Sequence, residues 1–539
     1  MSAGTCHGGS PGKISNSGIS CYNRDMNRRE FLVGATAAFA GCQCQTLTRA
    51  GKSLQHKPKA VVIFYADDLG YGDTSTYGQP RVPCPNLDRL AAEGCRFTDA
   101  HSPTSVCTPS RYSLLTGDYA FRRPGTHILD GDAKLILPLA GSGRLTLPAM
   151  MRKAGYRTAA IGKWHLGLGE GKKPTDWNAH VSPGPKEVGF DHSFIMAATA
   201  DRVPCVFLRN GDVVGLDPND PIEISYERVE KKWDGEVTAR TNPELLKAWG
   251  RPSDHQHDKT IIDGISRIGH MRGGKAACWH DQDISDTLCR EADDFLRESN
   301  GQPVFLYFCT SDVHVPRDPN QRFRGKTDLG IRGDTTVQMD DALGKVRESL
   351  KKYGYDDTLF VFTSDNGPYI PDGYEDGAPE AWKDVNPAHP FSGGKYGPME
   401  GGTRVPFVVA WPGEVKPGTT SASLLSQTDL SRTIASIVGA EIPDGSMRDS
   451  LDLSQAMIDG VGVGRTELIE QPGWGGVGYR QGNWKLIDNP RKNKQWLYEL
   501  TTDPTEQVNL ADRYPQIVEQ MVKRLREQLA QVDGARSEP

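Results

Sequence analysis

Val61-Val62-Ile63-Phe64-Tyr65-Ala66-Asp67-Asp68 runs from five apolar strand-formers straight into a pair of carboxylates. Branched and aromatic residues in an unbroken run of this length read as a strand buried in a sheet. The same beat returns at Thr158-Ala159-Ala160-Ile161, at Val304 to Phe308 and at Thr358 to Phe362. Between these runs lie helical stretches: Asn86 to Glu93 with a stop at Gly94, Thr146 to Tyr156, and the spaced sets Ile284, Leu288, Ala292, Phe295, Leu296 and Met339, Ala342, Leu343, Val346, Leu350. Strands separated by helices from residue 58 to about 440 predict an α/β fold, with a mostly parallel central sheet covered by helices on both faces. Ligands of such sheets bind beyond the carboxyl ends of the strands. Asp67-Asp68, Lys163-Trp164-His165, His314 and Asp365-Asn366 each follow an apolar strand, which makes that edge the expected site.

After residue 440 the pattern changes. Tyr479 to Ile487 and Gln495 to Leu500 read as paired antiparallel strands, followed by a last helix from Ile517 to Val532. A smaller C-terminal α+β subdomain over 441–539 is expected, built on an antiparallel sheet and following a larger α/β domain over 58–440. Residues 201–283 are polar and weakly patterned, as a surface insertion beside the site would be.

Composition narrows the functions. The 539 residues carry a net charge of −6, with 37% apolar and 24% charged side chains, a soluble globular balance. An acidic chain is a poor nucleic-acid binder, and any anion it binds must be held locally. None of the 11 cysteines forms a CxxC pair, which argues against zinc and thioredoxin-like sites. A disulfide between Cys84 and Cys95 stays open.

The local anion site is at Cys107-Thr108-Pro109-Ser110-Arg111. Pro109 favours a helix start, so Cys107 falls at a helix N-terminus, where free N–H groups and the dipole attract anions. Arg111 follows one turn later. Asp67, Asp68, Asp365 and Asn366 offer three carboxylates and an amide oxygen, hard donors suited to Ca²⁺ or Mg²⁺. Taken singly, an Asp pair after a strand is also a helix cap, and Asp-Asn-Gly is also a turn.

The Cys-x-Pro-x-Arg run with Leu114-Leu115-Thr116-Gly117 resembles the signature of the type I sulfatases, members of the alkaline phosphatase superfamily. The likeness extends through Gly162-Lys163-Trp164-His165-Leu166-Gly167, Val313-His314-Val315-Pro316, Gly393-Gly394-Lys395 and the stretch Leu497-Tyr498-Glu499-Leu500. It implies a sulfuric ester hydrolase in which Cys107 is oxidised to formylglycine by a formylglycine-generating enzyme. It also implies one divalent cation held by Asp67, Asp68, Asp365, Asn366 and the modified Cys107. Calcium is favoured over magnesium because an all-protein cage of charged oxygens suits the larger ion. Arg111, Lys163 and Lys395 would offset the sulfate charge, His165 would orient a hydroxyl of the hydrated aldehyde, and His314 would contact the ester and its leaving oxygen. Where many sulfatases follow that histidine with Pro-His, this chain has Pro316-Arg317, which bears on substrate contacts. Two alternatives stand beside this reading: a phosphonate or phosphate diester hydrolase of the same superfamily, and a non-catalytic lipoprotein that binds sulfated glycans.

The substrate expected is an aryl sulfate or a short sulfated saccharide. It would be read by the 201–283 segment and by the aromatics of the 369–392 loop, Tyr369, Tyr374, Trp382, His389 and Phe391. Packing of the loop by those rings is the competing reading. Thr199, Asp201 and Arg202 could lie near the substrate by analogy, whereas Asp254-His255-Gln256-His257-Asp258 reads as a solvated loop. Met26-Asn27-Arg28-Arg29-Glu30-Phe31-Leu32, followed by the small apolar run to Gly41, resembles a twin-arginine export signal within residues 1–45. Phe39-Ala40-Gly41-Cys42 resembles a lipoprotein processing site. Export by the twin-arginine translocase to the periplasm or cell surface is the corresponding expectation.

Overall fold

A computed structural model of the chain describes residues 56–171, 174–460 and 464–532; the export-signal reading lies outside them. The central sheet is made of β1 (Ala60–Ala66), β2 (Cys95–Phe97), β3 (Arg157–Lys163), β4 (His192–Met196), β5 (Phe207–Arg209), β6 (Asp212–Val213), β7 (Val304–Cys309), β8 (Thr358–Ser364), β9 (Phe407–Ala410) and β10 (Thr419–Ser421). Its order is β10-β2-β9-β8-β1-β7-β3-β4-β5-β6. The middle strands β8, β1, β7, β3 and β4 are mutually parallel, and antiparallel strands flank them on both sides. Every residue of β1, β7 and β8 is buried. Successive side chains point to opposite faces, so both faces of the sheet are covered, as the unbroken apolar runs require.

The covering helices include α1 (Pro85–Glu93), α2 (Cys107–Thr116), α3 (Leu147–Lys153), α4 (Ile284–Glu298), α5 (Gly330–Lys352) and α6 (Leu430–Val438). Local signals account for some of their ends. The Thr146 side chain accepts from Ala149 N–H at the start of α3, and Gly117 ends α2 in the left-handed region at φ 65°. The start of α1 is capped from elsewhere, because Asp340 of α5 accepts from the backbone N–H groups of Asn86 and Leu87 at 3.0 and 2.8 Å. Cys84 and Cys95, on either side of α1, are both free thiols, so no disulfide joins them.

The 201–283 segment is more than an insertion. It begins with β5 and β6, which complete the edge of the central sheet next to β4. Only the remainder forms short ribbons, with 223–225 paired to 270–272 and 261–262 to 265–266. The antiparallel sheet expected near the C-terminus is β11 (Glu467–Glu470), β12 (Val477–Gln481), β13 (Trp484–Asn489) and β14 (Lys494–Glu499), in that spatial order. Helix α7 (Pro515–Leu529) packs Met521 and Leu525 against Leu468, Tyr479, Leu486 and Leu497 of these strands.

A buried ionic network fastens this second sheet to the first body. Lys485 Nζ lies 2.9 Å from Glu400, 2.8 Å from Glu470 and 3.3 Å from Glu506. Arg480 forks onto Asp99 at 2.6 and 2.8 Å, and His101 contacts Asp99 and Glu470 at 3.0 Å each. Beyond β11 the backbone of Gln471 pairs with the segment leading to Cys107: Gln471 N–H donates to Pro103 O at 2.9 Å, and Ser105 N–H donates to Gln471 O at 3.1 Å.

Gly162, next to last in β3, shows why a glycine precedes Lys163. Its φ is +101°, and a Cβ there would sit 1.8 Å from the Cys309 carbonyl oxygen of β7. Gly162→Ala is expected to lose at least about 2 kcal/mol of stability in urea denaturation, because neither the backbone angle nor the neighbouring main chain can give way cheaply.

Candidate active site

Strands β8, β1, β7 and β3 are neighbours, so the residues that follow them meet at one edge of the sheet. Asp67, Asp68, Asp365, Asn366, Lys163 and Arg111 are each at most 1% exposed. Buried charges must be paired, and here each carboxylate has a cation of its own. Lys163 Nζ lies 2.6 and 2.7 Å from the two Asp67 oxygens. Lys395 Nζ is 2.7 Å from Asp68 Oδ2. Arg111 donates through Nε and Nη2 to Asp365 Oδ2 at 3.1 and 2.7 Å, and through Nη1 to the Lys163 carbonyl at 3.1 Å.

The balance is uneven. Against the cost of burial, Arg111 holds Asp365 below the usual carboxylate range, and Lys395 with His314 does the same for Asp68. Burial and the nearby Asp365 push Asp67 well above that range. Asn366 donates its amide to Asp68 Oδ1 at 2.7 Å, but its Oδ1 is buried without a hydrogen-bond partner. An orphaned amide oxygen beside three crowded carboxylates fits the hard divalent cation expected from the sequence. Ligand atoms of Asp67, Asp68 and His314 lie within 4.8 Å of one another, which brings His314 to this cluster as well.

Cys107 is the first residue of α2 and is buried, and Val106 caps the helix in an extended conformation. Its Sγ is 3.4 Å from His165 Nδ1. His165 Nε2 donates to the Leu129 carbonyl at 2.8 Å, so Nδ1 turns a bare lone pair to position 107. Burial and Lys163 keep this ring neutral by driving its pKa well down. Burial raises the Cys107 thiol despite Lys163 and Lys395, so the unmodified side chain is a thiol and a poor nucleophile. Two non-glycine residues of the site, Asp68 (φ 57°) and His165 (φ 55°), hold left-handed backbone, a strain that the packed surroundings enforce.

His314 Nδ1 is tied to the Val315 carbonyl at 2.7 Å, leaving Nε2 to face Asp68 at 3.8 Å and Asp372 at 3.7 Å. Burial and Lys395 lower this ring to about 4. Asp372 escaped the sequence reading. Its Oδ2 is buried without a hydrogen-bond partner, 3.7 Å from Lys395 Nζ, and nothing in its loop sequence marks it. Arg317 turns away from the site: it grips Asp376 at 2.6 Å and the Tyr369 carbonyl at 3.0 Å, and so fixes the loop that carries Asp372.

Thr199, Asp201 and Arg202 form one buried cluster, with Arg202 Nη1 2.8 Å from Thr199 Oγ1 and 3.1 Å from Asp201. The stretch read as a solvated loop divides. His255 is exposed, but His257 is 5% exposed and bridges Asp254 at 2.8 Å and Asp201 at 3.4 Å. Of the two readings of the aromatic loop, packing holds for most of its rings. Tyr374 donates to the Ser266 carbonyl at 2.6 Å, Trp382 donates to the Leu329 carbonyl at 2.9 Å, and both are buried along with Phe391. These rings pack the loop, His389 is exposed, and only Tyr369 stays half-open near Lys395.

A buried cysteine at a helix start, ringed by cations and hard oxygen donors at the ends of parallel strands, makes a centre of the α/β class suited to an anionic ligand. The sulfatase family model matches residues 59–440. The chain is 40% identical over 513 residues to an N-acetylgalactosamine-6-O-sulfatase of Bacteroides thetaiotaomicron, covering 92% of this chain and 98% of that protein. It is 29% identical over 518 residues to human arylsulfatase A, with 89% of each covered. A solved structure from work on glycosaminoglycan metabolism by Bacteroides thetaiotaomicron superposes with a TM-score of 0.83 at 40% identity, covering 88% of this chain and 100% of that one. The chain belongs to the sulfatase family and is a sulfuric ester hydrolase.

The His257 contacts set a pH dependence of stability. Burial alone would lower its pKa, but Asp201 and Asp254 hold it at about 9. A raised value in the folded state contributes stability that is full below the unfolded value near 6.5 and is lost as pH rises through about 9. Between pH 6 and 10 the wild type should lose about 3 kcal/mol more stability than His257→Gln, measured by urea denaturation at both pH values. Equal losses in the two proteins would contradict this.

Proposed function

We propose that the enzyme hydrolyses a sulfate monoester of a saccharide, at the 6-oxygen of an N-acetylhexosamine, with formylglycine at position 107 and a calcium ion held by Asp67, Asp68, Asp365 and Asn366. The observation that carries this reading is the pairing of Cys107 Sγ with the bare Nδ1 of His165 inside a ring of buried cations. A thiol kept protonated there has no use as a nucleophile, but a hydrated aldehyde in its place supplies geminal hydroxyls, one to attack sulfur and one whose deprotonation releases sulfate. The 40% identity to an N-acetylgalactosamine-6-O-sulfatase supports the sugar and the position.

The residues divide the work by where their protons lie. His165 Nδ1 accepts a proton from a hydroxyl at position 107, since its Nε2 proton is committed to Leu129 O. Lys163 and Lys395, both kept cationic by their carboxylates, face the sulfate oxygens and offset their charge. Arg111 acts at one remove by holding Asp365, and a divalent cation held by Asp67, Asp68, Asp365 and Asn366 would supply Lewis acidity toward the same anion. His314 can give a proton only from Nε2, because Nδ1–H is bound to Val315 O. An anionic ester against the ring raises its hold on that proton, which passes to the ester oxygen as the S–O bond breaks.

Mass spectrometry of the peptide containing residue 107 should show formylglycine in active preparations, and Cys107→Ala should lower turnover by more than about a thousandfold with the fold retained. A fully active, wholly unmodified protein would sink the mechanism. Inorganic sulfate should be released from N-acetylgalactosamine 6-sulfate at least about tenfold faster than from the 4-sulfate. The opposite order would overturn the assigned position while leaving the chemistry intact.

A further inference from the structure

The C-terminal sheet brings an aromatic ring against Tyr396, the residue that follows Lys395. Trp474, in the turn Gln471-Pro472-Gly473-Trp474-Gly475-Gly476 between β11 and β12, is 58% exposed. Its indole stacks on Tyr396, with centroids 4.7 Å apart and planes 25° apart. Tyr369 meets the same Tyr396 ring edge-on at 5.5 Å, and Lys395 Nζ lies 5.2 Å from its centroid. Three rings thus make a continuous strip from the lysine paired with Asp68 out to solvent.

The strip is held rigidly. Tyr396 adopts left-handed backbone at φ 70°, which a bulky side chain takes only under constraint. Its N–H donates to Ser105 O at 2.7 Å, two residues before Cys107, and its carbonyl accepts from Gly473 and Trp474 N–H at 2.9 and 3.1 Å. A Cβ on Gly473 would stand 3.1 Å from the Tyr396 ring and 3.3 Å from Val106, so the turn packs tightly against the ring and against the residue before Cys107. Arg317 fixes the Tyr369 end through its carbonyl.

An exposed, preorganised indole next to a centre that must leave its substrate's far end in water is otherwise a cost. We propose that Trp474, backed by Tyr396 and Tyr369, forms a subsite that stacks on the pyranose ring joined to the sulfated sugar, so that the C-terminal sheet sets the preference for oligosaccharide over monosaccharide. The inference rests on the saccharide reading above. The apolar C–H face of a pyranose matches an indole in size, and the stacking places no demand on the sulfate.

The test compares kcat/KM for a 6-O-sulfated monosaccharide and for an oligosaccharide ending in the same sulfated sugar, in wild type, Trp474→Phe and Trp474→Ala. The ratio of the two values is independent of the fraction of protein correctly folded or modified. The wild type should prefer the oligosaccharide, Trp474→Ala should reduce that ratio by about five- to tenfold, and Trp474→Phe should keep most of it. A wild type without the preference, or a ratio that survives Trp474→Ala, overturns the subsite alone. A wild type that turns over neither saccharide but cleaves an aryl sulfate overturns the saccharide reading and the subsite with it.

Discussion

Three carboxylates and three cations buried together at the ends of four parallel strands set the terms for the rest of this molecule. Asp67 pairs with Lys163, Asp68 with Lys395 and Asp365 with Arg111. Such an array is tolerable in a dry interior only because each ion is paired within about 3 Å. A divalent cation held there would add further positive charge to this array. That positive charge would be local, so a net charge of −6 for the chain is no bar to a sulfate ester. The sheet exists in this form to hold these six groups at fixed separations, and the strain at Asp68 and His165 is the backbone price of doing so.

The same constraint explains the chemistry assigned to position 107. Two lysines nearby would ordinarily lower a thiol's pKa, yet complete burial wins and the cysteine stays protonated. Both lysines pull the thiol down, but their pull falls short of the cost of burying a thiolate. A protein that needed cysteine itself as nucleophile would be badly built here. The proposed conversion of the residue to a carbonyl would avoid that difficulty, because a hydrate needs a neutral base, and His165 is kept neutral by burial and Lys163.

The second sheet is part of the same machine. Lys485, Arg480 and His101 knit Glu470, Glu400 and Asp99 across its junction with the first body. Bridging across that seam holds Gln471 against Pro103 and Ser105, in the segment that leads into α2 and position 107. A loss of packing there would therefore be felt at position 107 as well as at the exposed Trp474.

The sequence by itself determined the class of fold and most of the centre. Uninterrupted apolar runs can be satisfied only in a sheet covered on both faces, and polar residues placed directly after such runs must gather at its carboxyl edge; Asp67, Lys163, His314 and Asp365 do so. The tertiary structure alone decided whatever depends on which distant segments touch. The cap of α1 comes from Asp340, some 250 residues away, and so carried no local signal. His257 looked solvated until Asp201 was brought against it, and Tyr374 and Trp382 looked available until the carbonyls of Ser266 and Leu329 claimed them. Asp372 and Trp474 belong to no periodic pattern. Each matters because a loop, fixed by Arg317 in one case and by Tyr396 in the other, carries it to a site built from other parts of the chain. Periodicity records the faces that a segment must bury, whereas the neighbour that meets each face is settled only when the whole chain has packed.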